Sequence, residues 1–238
     1  MRIKNITVLG DSLCMVRPPD LTYRNLYPYL LADSLSEKML LQVNNRSKRA
    51  NNSVKQWEPQ NIIDDIDFSD SEYFVLHLGV VDSAPRLFSS NQKMILSIMS
   101  KIPLFKKIAS SIIRVRSKNR FENTKKKPRT EVPLEQFSKM IECILKRIIS
   151  ENKKLEKIFV LPISPPSKLM LTKSFGIDDN TQKYNHAMIS VVSDLNSDLI
   201  DIIDLNTRPD DDIYFNADGY HLSRMGHKWI SDQILMHM

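Results

Sequence analysis

Short apolar runs alternate with longer amphipathic stretches along this 238-residue chain, and the alternation constrains its fold more than any other feature. The runs are rich in Ile, Val, Leu and Phe, and two of them end directly at a glycine. Continuous apolar runs of this length are typical of parallel strands that are buried on both faces. The five predicted strands cover residues 4–9, 39–43, 73–78, 157–163 and 199–204.

Stretches with helical spacing separate these strands. In the stretch 134–150 the apolar residues recur at intervals of three and four, as in Phe137, Ile141 and Ile144. Further helices are expected at 23–38, 60–66, 92–120, 181–195 and 222–236. Strands that alternate with helices indicate an α/β fold, in which a central parallel five-stranded sheet is covered on both faces. The sequence contains no internal repeat and no linker, so we expect a single domain over residues 1–238.

Basic residues are concentrated in one segment. Residues 101–129 contain eleven Lys and Arg and a single acid, Glu122, whereas the whole chain has a net charge of +6. We interpret 101–133 as an insertion that forms a lid or a surface element, with a flexible basic loop at 123–133. Two further interpretations stay open: contact of 98–129 with an anionic membrane surface, and attraction of an anionic glycan substrate. Nucleic acid is not expected as a partner, because the segment has only Phe105 and Phe121 as aromatic residues.

Several functional classes are disfavoured by composition. Cys14 and Cys143 are too few for a disulfide framework, and no apolar run is long enough to span a membrane. The first apolar stretch is too short for a secretion signal, so a cytoplasmic protein is expected. No Cys/His/Asp cluster has metal-ligand spacing, and no phosphate-binding loop is present, so neither a metal nor a cofactor is expected. The three acids at 210–212 are interpreted as a solvated loop.

Three polar motifs follow predicted strands or precede the last predicted helix. They are Gly10-Asp11-Ser12, Gly79-Val80-Val81-Asp82 and Asp218-Gly219-Tyr220-His221. Ligands of parallel sheets bind at the carboxyl ends of the strands, where the first two motifs lie. A serine becomes a nucleophile only with a base within hydrogen-bond reach and a carboxylate that orients the base. Ser12, His221 and Asp218 supply these three groups, and the Ser12 N–H is an expected oxyanion donor.

Together the three motifs resemble those of the SGNH hydrolases, also called GDSL esterases and lipases. The resemblance implies a flavodoxin-like three-layer α/β/α sandwich in which Ser12 is the nucleophile, His221 the base and Asp218 its partner. The family removes or transfers acyl groups, often acetyl groups on sugars. The string from Gly79 to Arg86 also resembles a bacterial subgroup associated with surface-polysaccharide gene clusters, which implies a role in polysaccharide biosynthesis.

The chain departs from the family pattern at two positions. Ala50 replaces the glycine whose N–H usually binds the oxyanion, and alanine still offers an N–H. Val81 replaces the usual asparagine and has no amide to donate. Three outcomes are open: another group substitutes, with Arg86, Asn51 and Asn52 as the candidates, or the enzyme is slow, or catalysis is lost.

We expect Asp11, Val81, Asp82 and Arg86 to contact the substrate. The leading hypothesis is a serine esterase that removes an O-acyl group, in particular O-acetyl, from a carbohydrate or related ester through an acyl-enzyme. The alternatives are an O-acyltransferase that uses the same triad on polysaccharide precursors, and a non-catalytic binding protein.

Overall fold

The computed structural model describes residues 3–209 and 212–238, and within them five strands form one parallel sheet. The strands are β1 (Ile3–Gly10), β2 (Leu40–Asn45), β3 (Tyr73–His77), β4 (Lys157–Val160) and β5 (Ile200–Ile202). Their order in the sheet is β2-β1-β3-β4-β5. The predicted α/β fold class is therefore confirmed, although β4 and β5 end before the predicted boundaries.

The topology of the sheet creates a crevice beside β1. This strand pairs with β2 on one side and with β3 on the other, with Val8 opposite both Asn45 and Val75. The direction of the chain across the sheet reverses at this point, because β2 lies to one side and β3, β4 and β5 follow on the other. Ligands of open parallel sheets bind at such a switch point, outside the carboxyl ends of the strands.

Helices cover both faces of the sheet. The α-helices of the described residues are α1 (Tyr27–Leu35), α2 (Ser53–Gln56), α3 (Pro59–Ile62), α4 (Val80–Ser83), α5 (Ser90–Lys101), α6 (Pro103–Lys118), α7 (Arg120–Lys126), α8 (Leu134–Glu151), α9 (Lys168–Lys173), α10 (Ile177–Leu195) and α11 (Arg224–Leu235). Phe74 and Leu76 of β3 pack into the core with α8 and α10. Tyr73 and Val75 of the same strand point to the opposite core, with α1 and α11. This alternation produces the three layers.

Three predicted helices have different bounds in the structure. The stretch 23–38 contains a 3₁₀ turn, Tyr23–Asn25, followed by α1, because Pro28 is accepted in the first turn of a helix but not in its interior. The stretch 60–66 consists of α3 and a π-helical turn, Ile63–Asp67. Helix α10 begins at Ile177, four residues before the prediction, directly after Gly176 with its positive φ of 73°.

The two ends of the basic segment meet at one point of the domain. The Arg86 N–H donates to the Arg129 carbonyl at 3.0 Å, so the excursion spans α5, α6 and α7 and begins before the predicted residue 101. The predicted flexible loop at 123–133 is wrong for its first part, because α7 continues to Lys126. Thr124 is 1% exposed, and its hydroxyl oxygen accepts the Phe175 N–H at 3.0 Å. In the described residues no helix is long and apolar enough to cross a membrane.

Candidate active site

Ser12 lies at the turn that leaves β1. It begins a 3₁₀ turn, Ser12–Cys14, whose N-cap is Asp11. The Asp11 carboxylate accepts the Leu13 N–H at 2.8 Å, which fixes the chain direction after the strand. The turn presents the Ser12 side chain, half-buried, at the crevice beside β1.

His221 and Asp218 meet Ser12 in a continuous hydrogen-bonded series. The Ser12 Oγ lies 3.1 Å from His221 Nε2, and His221 Nδ1 lies 2.6 Å from Asp218 Oδ2. The second carboxylate oxygen, Oδ1, accepts the backbone N–H groups of Tyr220 at 2.8 Å and His221 at 3.0 Å. These two bonds hold the carboxylate in place, so the imidazole has one preferred orientation and its Nε2 faces the hydroxyl. The expected geometry of the three side chains is thus present.

The electrostatics of the pair favour a neutral histidine that is ready to accept a proton. Burial lowers the pKa of His221 below its ordinary value of 6.5, and the charge of Arg17 lowers it further, although the hydrogen bond to Asp218 opposes both. Partial burial alone would raise the pKa of Asp218. The hydrogen bonds from His221 and Tyr220 outweigh this effect, and the pKa is lower than usual. At neutral pH the carboxylate is ionised and the imidazole is a free base.

Two backbone N–H groups beside Ser12 have no acceptor among the described residues: that of Ser12 itself and that of Ala50. Both residues line the same cleft. Ala50 has a φ of 53°, inside the small left-handed region that an L-residue can occupy. The alanine therefore adopts the conformation for which glycine is usually needed, and its N–H is available.

The expected substitutes for a missing amide donor are largely occupied. The Asn51 amide donates to the Gly10 carbonyl at 3.1 Å and to the Gln56 side chain at 2.8 Å. The Asn52 side chain caps α2 by accepting the Lys55 N–H at 2.8 Å. Both asparagines are buried, and neither lines the cleft that contains Ser12. Arg86 lines the cleft, but its guanidinium donates to the Val81 carbonyl and pairs with Glu131 at 3.0 Å.

Of the four residues expected to contact substrate, only Val81 and Arg86 line the cleft. The side chains of Asp11 and Asp82 are 1% and 0% exposed. We therefore correct their role from substrate contact to support of the surrounding turns. Burial, with a smaller contribution from the charge of Asp82, raises the pKa of Asp11 to about 7. Desolvation of this kind is typical of a carboxyl that is enclosed by protein.

A wide cleft of about 610 Å³ extends from Ser12 and His221. Its lining includes five basic residues, of which only Arg86 was expected at the site from the sequence. They are Arg17, Arg49, Arg86, Arg120 and Lys173. Arg17 and Arg49 flank the Ser12 and Ala50 turns in sequence, and Arg120 belongs to the basic segment. The closeness of Arg17 to Ser12 and of Arg49 to Ala50 in sequence was the available signal for a place at the site. That these arginines and Arg120 line one cleft depends on the fold.

Other reactive side chains are enclosed in the core. Cys14 contacts the Tyr27 hydroxyl at 3.4 Å and His77 Nδ1 at 3.3 Å, and burial raises the pKa of its thiol to about 12. Burial lowers the pKa of His77 to about 4 and that of His227 to about 3. His227 accepts the Tyr27 N–H at 3.3 Å and so joins α11 to α1. These groups stabilise the fold rather than line the cleft.

Residues 3–209 and 212–238 contain no group of three or more His, Cys, Asp or Glu side chains arranged to hold a metal. Asp210 and Asp211 of the acidic run lie outside these ranges, so their predicted loop is not described.

Solved structures with the same fold include several enzymes of one kind. A lipase/acylhydrolase from Enterococcus faecalis matches with a TM-score of 0.66 and 13% identity, over 100% of this chain and 95% of that one. The acetyl xylan esterase AlAXEase matches with a TM-score of 0.62 and 13% identity, over 98% and 99% of the two chains. A catalytic mutant of Axe2, an acetylxylan esterase from Geobacillus stearothermophilus, matches with a TM-score of 0.61 and 13% identity, over 98% and 93%. No protein-family model and no curated protein matches the sequence.

Proposed function

We propose that this chain, which has the fold of the SGNH hydrolases, is a serine esterase that removes an O-acyl group, in particular acetyl, from a carbohydrate or a related ester. The observation that carries the proposal is the series Ser12–His221–Asp218, with distances of 3.1 and 2.6 Å between successive side chains. Retention of all three groups in hydrogen-bonding geometry argues against the non-catalytic alternative.

The geometry supports a two-step reaction. His221 Nε2 takes the Ser12 proton while Oγ attacks the ester carbonyl, and the developing oxyanion is met by the N–H groups of Ser12 and Ala50. The bond between the acyl carbon and the sugar oxygen then breaks, as His221 returns the proton to that oxygen and the sugar leaves as an alcohol. Water repeats the sequence on the acyl-enzyme, which releases the acid and restores Ser12. Asp218 stays ionised throughout and stabilises the imidazolium.

Two adjoining cavities, of which only the wider one is lined by Ser12, support a small acyl group on a larger alcohol. The wide cleft has room for a sugar ring. A narrow apolar cavity of about 40 Å³ shares Ala84, Met170 and Tyr220 with that cleft, and its size is suited to a methyl or acetyl group. Two similar structures are acetylxylan esterases by name, which agrees with an acetyl group on a carbohydrate.

The same acyl-enzyme supports transfer when a sugar hydroxyl replaces water. Hydrolysis is the preferred reading, because the wide cleft admits solvent to the half-buried Ser12. We also propose a cytoplasmic location, which the free thiols of Cys14 and Cys143 support, and a role in polysaccharide biosynthesis.

The decisive experiment replaces Ser12 and measures the release of p-nitrophenol from p-nitrophenyl acetate. Ser12→Ala is expected to abolish turnover without lowering Tm, while Ser36→Ala, an exposed serine on the other side of α1, keeps the wild-type rate. Addition of methyl glucoside as an acceptor, followed by mass analysis of the products, separates transfer from hydrolysis. Wild-type turnover by Ser12→Ala, or no turnover by the wild-type protein, would overturn the proposal.

A further inference from the structure

The charge of the cleft is one-sided. Its lining includes Arg17, Arg49, Arg86, Arg120 and Lys173 but no Asp or Glu side chain. The nearest acids are already occupied or enclosed, because Asp218 is bound to His221 and Asp11 is 1% exposed. A neutral sugar requires no such excess of positive charge, so the lining itself carries information about the substrate.

Most of these cations lack a carboxylate partner within the described residues. Arg86 pairs with Glu131, which also binds Lys93. Arg120 has only neutral acceptors: its Nε donates to the Ser174 hydroxyl at 2.6 Å, and its Nη2 to the Pro85 carbonyl at 2.7 Å.

Two further arginines have even fewer contacts. The Arg17 Nε is buried without a hydrogen-bond partner, and Arg49 has neither a hydrogen bond nor an ion pair among the described residues. Lys173 donates only to the Asp218 carbonyl, at 3.3 Å. The Arg120 guanidinium is therefore positioned by the protein, and none of Arg17, Arg49 and Arg120 pairs with a carboxylate among the described residues.

The cations of the cleft also repel one another, which favours binding of an anion between them. Burial lowers the pKa of Arg120, and the nearby charge of Arg86 lowers it further. A bound anion would remove the repulsion and supply the missing acceptors. Planar guanidinium groups match carboxylate and phosphate oxygens through paired hydrogen bonds.

We propose that the cleft binds an anionic ester, with a carboxylate or phosphate on the sugar held by Arg120 and Arg17 while the acyl group lies at Ser12. This inference rests on the proposed function for the acyl end of the substrate. The anion-binding end depends only on the arginines, so it can be tested without turnover.

The test measures binding to Ser12→Ala protein by calorimetry. The probes are the acetyl esters of methyl glucuronide, of methyl glucoside 6-phosphate and of neutral methyl glucoside. We expect at least one anionic probe to bind about tenfold more tightly than the neutral one, since a tenfold change corresponds to one good charge-assisted contact. The tighter of the two anions identifies carboxylate or phosphate as the group that is recognised.

Substitutions link this preference to the cleft. Arg120→Gln in the same background is expected to remove most of the preference, whereas Lys126→Gln, an exposed charge on the same helix, retains it. Equal affinity for the neutral and anionic probes, or a preference that survives Arg120→Gln and Arg17→Gln together, would overturn the inference. Hydrolysis of p-nitrophenyl acetate by the wild-type protein tests the proposed function separately.

A second surface carries an independent inference. Helices α5 and α6 pack as a hairpin whose outer side exposes large apolar side chains, with 78% of Leu104 and 49% of Ile108 accessible to solvent. The exposed residues of this apolar surface are Met94, Ile95, Ile98, Ile102, Leu104, Phe105, Ile108, Ile112, Ile113 and Val115. Large apolar side chains exposed together on one pair of helices are typical of an interaction site.

The charges around the apolar surface indicate its partner. Residues 90–121 contain eight Lys and Arg and no acid. On α6, Lys107, Arg114 and Lys118 follow one another at intervals of seven and four residues, which sets them along one edge of the apolar face. A second copy of the chain would bring like charges together, whereas an anionic bilayer accepts both the apolar face and the basic edge.

We infer that the hairpin docks on the surface of an anionic lipid bilayer. The surface lies beside the cleft, because Arg116 of α6 donates to the Leu87 carbonyl and Arg120 follows α6 directly. Docking would therefore hold the cleft near the lipid headgroups.

Co-sedimentation with vesicles tests this inference. The wild-type protein is expected to bind vesicles of equimolar phosphatidylcholine and phosphatidylglycerol, and to bind phosphatidylcholine alone at least about tenfold more weakly. Leu104→Ser with Ile108→Ser should reduce binding by a similar factor, while Met225→Ser, an exposed apolar residue on α11, should not. Failure to bind the anionic vesicles, or a dimer in light scattering that the double variant dissociates, would overturn the inference.

Discussion

Asp82 holds Ser53 through a single carboxylate oxygen. Its Oδ1 accepts both the Ser53 N–H at 2.9 Å and the Ser53 hydroxyl at 2.6 Å, and both residues are fully or almost fully buried. The bond joins α4, which follows β3, to the start of α2. The turn that contains Ala50 precedes α2, so the position of the Ala50 N–H depends on the buried carboxylate of Asp82.

Asp82→Ala is therefore expected to weaken both the fold and the site. The substitution leaves the buried Ser53 N–H without an acceptor, which costs about 1–3 kcal/mol of unfolding free energy. Urea titration measures this loss, and kcat for p-nitrophenyl acetate should fall as the Ala50 turn loosens. Ser53→Ala keeps the backbone bond and should show a smaller effect. Equal stability of Asp82→Ala and wild type would contradict the assigned role.

His221 sets the acid side of the pH–rate profile. Catalysis requires the neutral imidazole, and its pKa lies below 6.5, so activity should persist as the pH falls below that value. Arg17→Gln removes a charge that lowers this pKa, and the acid limb of kcat/KM should move to higher pH. A limb at or above pH 6.5 in the wild-type protein, or no movement in Arg17→Gln, would show that another group controls the profile.

Ala50 adopts a backbone conformation that favours glycine. Ala50→Gly should raise the unfolding free energy by up to about 1 kcal/mol, because left-handed geometry costs an L-residue about 1–2 kcal/mol and the added freedom of the unfolded glycine offsets part of the gain. Ala187→Gly, inside α10, should change stability in the opposite direction by about 1 kcal/mol. Thermal unfolding of both variants gives the comparison, and destabilisation by Ala50→Gly would contradict the φ of 53°.

Val81 lies where an additional oxyanion donor is expected. It lines the cleft and is 8% exposed, so an amide at this position would face the substrate. Val81→Asn should raise kcat by up to about 10²-fold, the size of effect attributed to one such donor. Val115→Asn, at an exposed position of α6 that lines neither cavity, serves as the control and should give no gain. If Val81→Asn does not raise kcat and Arg86→Ala lowers kcat severely, then Arg86 already supplies the donor despite its bonds to Val81 and Glu131.

Local patterns were sufficient for the scaffold and for the pair Asp218 and His221, whereas the contact of Ser12 with His221, 209 residues apart, was expected from the resemblance to a family. The strands around Val8 and Val75 are continuous apolar runs, and the motif from Asp218 to His221 determines its own hydrogen bonds because the residues are three apart. The basic lining of the cleft was not predictable in this way. Arg17, Arg49 and Arg120 are far apart in sequence and converge only through the fold.

The helix at residues 120–126 was missed for a related reason. Its sequence is strongly basic and ends before a proline, which favours a loop. Thr124 and Phe175, whose N–H donates to the Thr124 hydroxyl, are 51 residues apart in sequence, so no local pattern contains this contact. Tertiary contacts of this kind routinely override local propensity.

The closure between Arg86 and Arg129 makes the basic excursion a modular unit. Both ends of the segment meet at one backbone hydrogen bond of 3.0 Å, and the strands on either side, β3 and β4, pair directly with each other. No strand of the sheet comes from the excursion, so a change in its length outside Arg120 and Thr124, which bond to Ser174 and Phe175, would leave the pairing of β3 with β4 in place. Because it contributes Arg120 to the cleft and the α5–α6 hairpin to the surface, variation within this one unit would change the charge of the cleft and the exposed apolar surface together, while Ser12, His221 and Asp218 lie outside it.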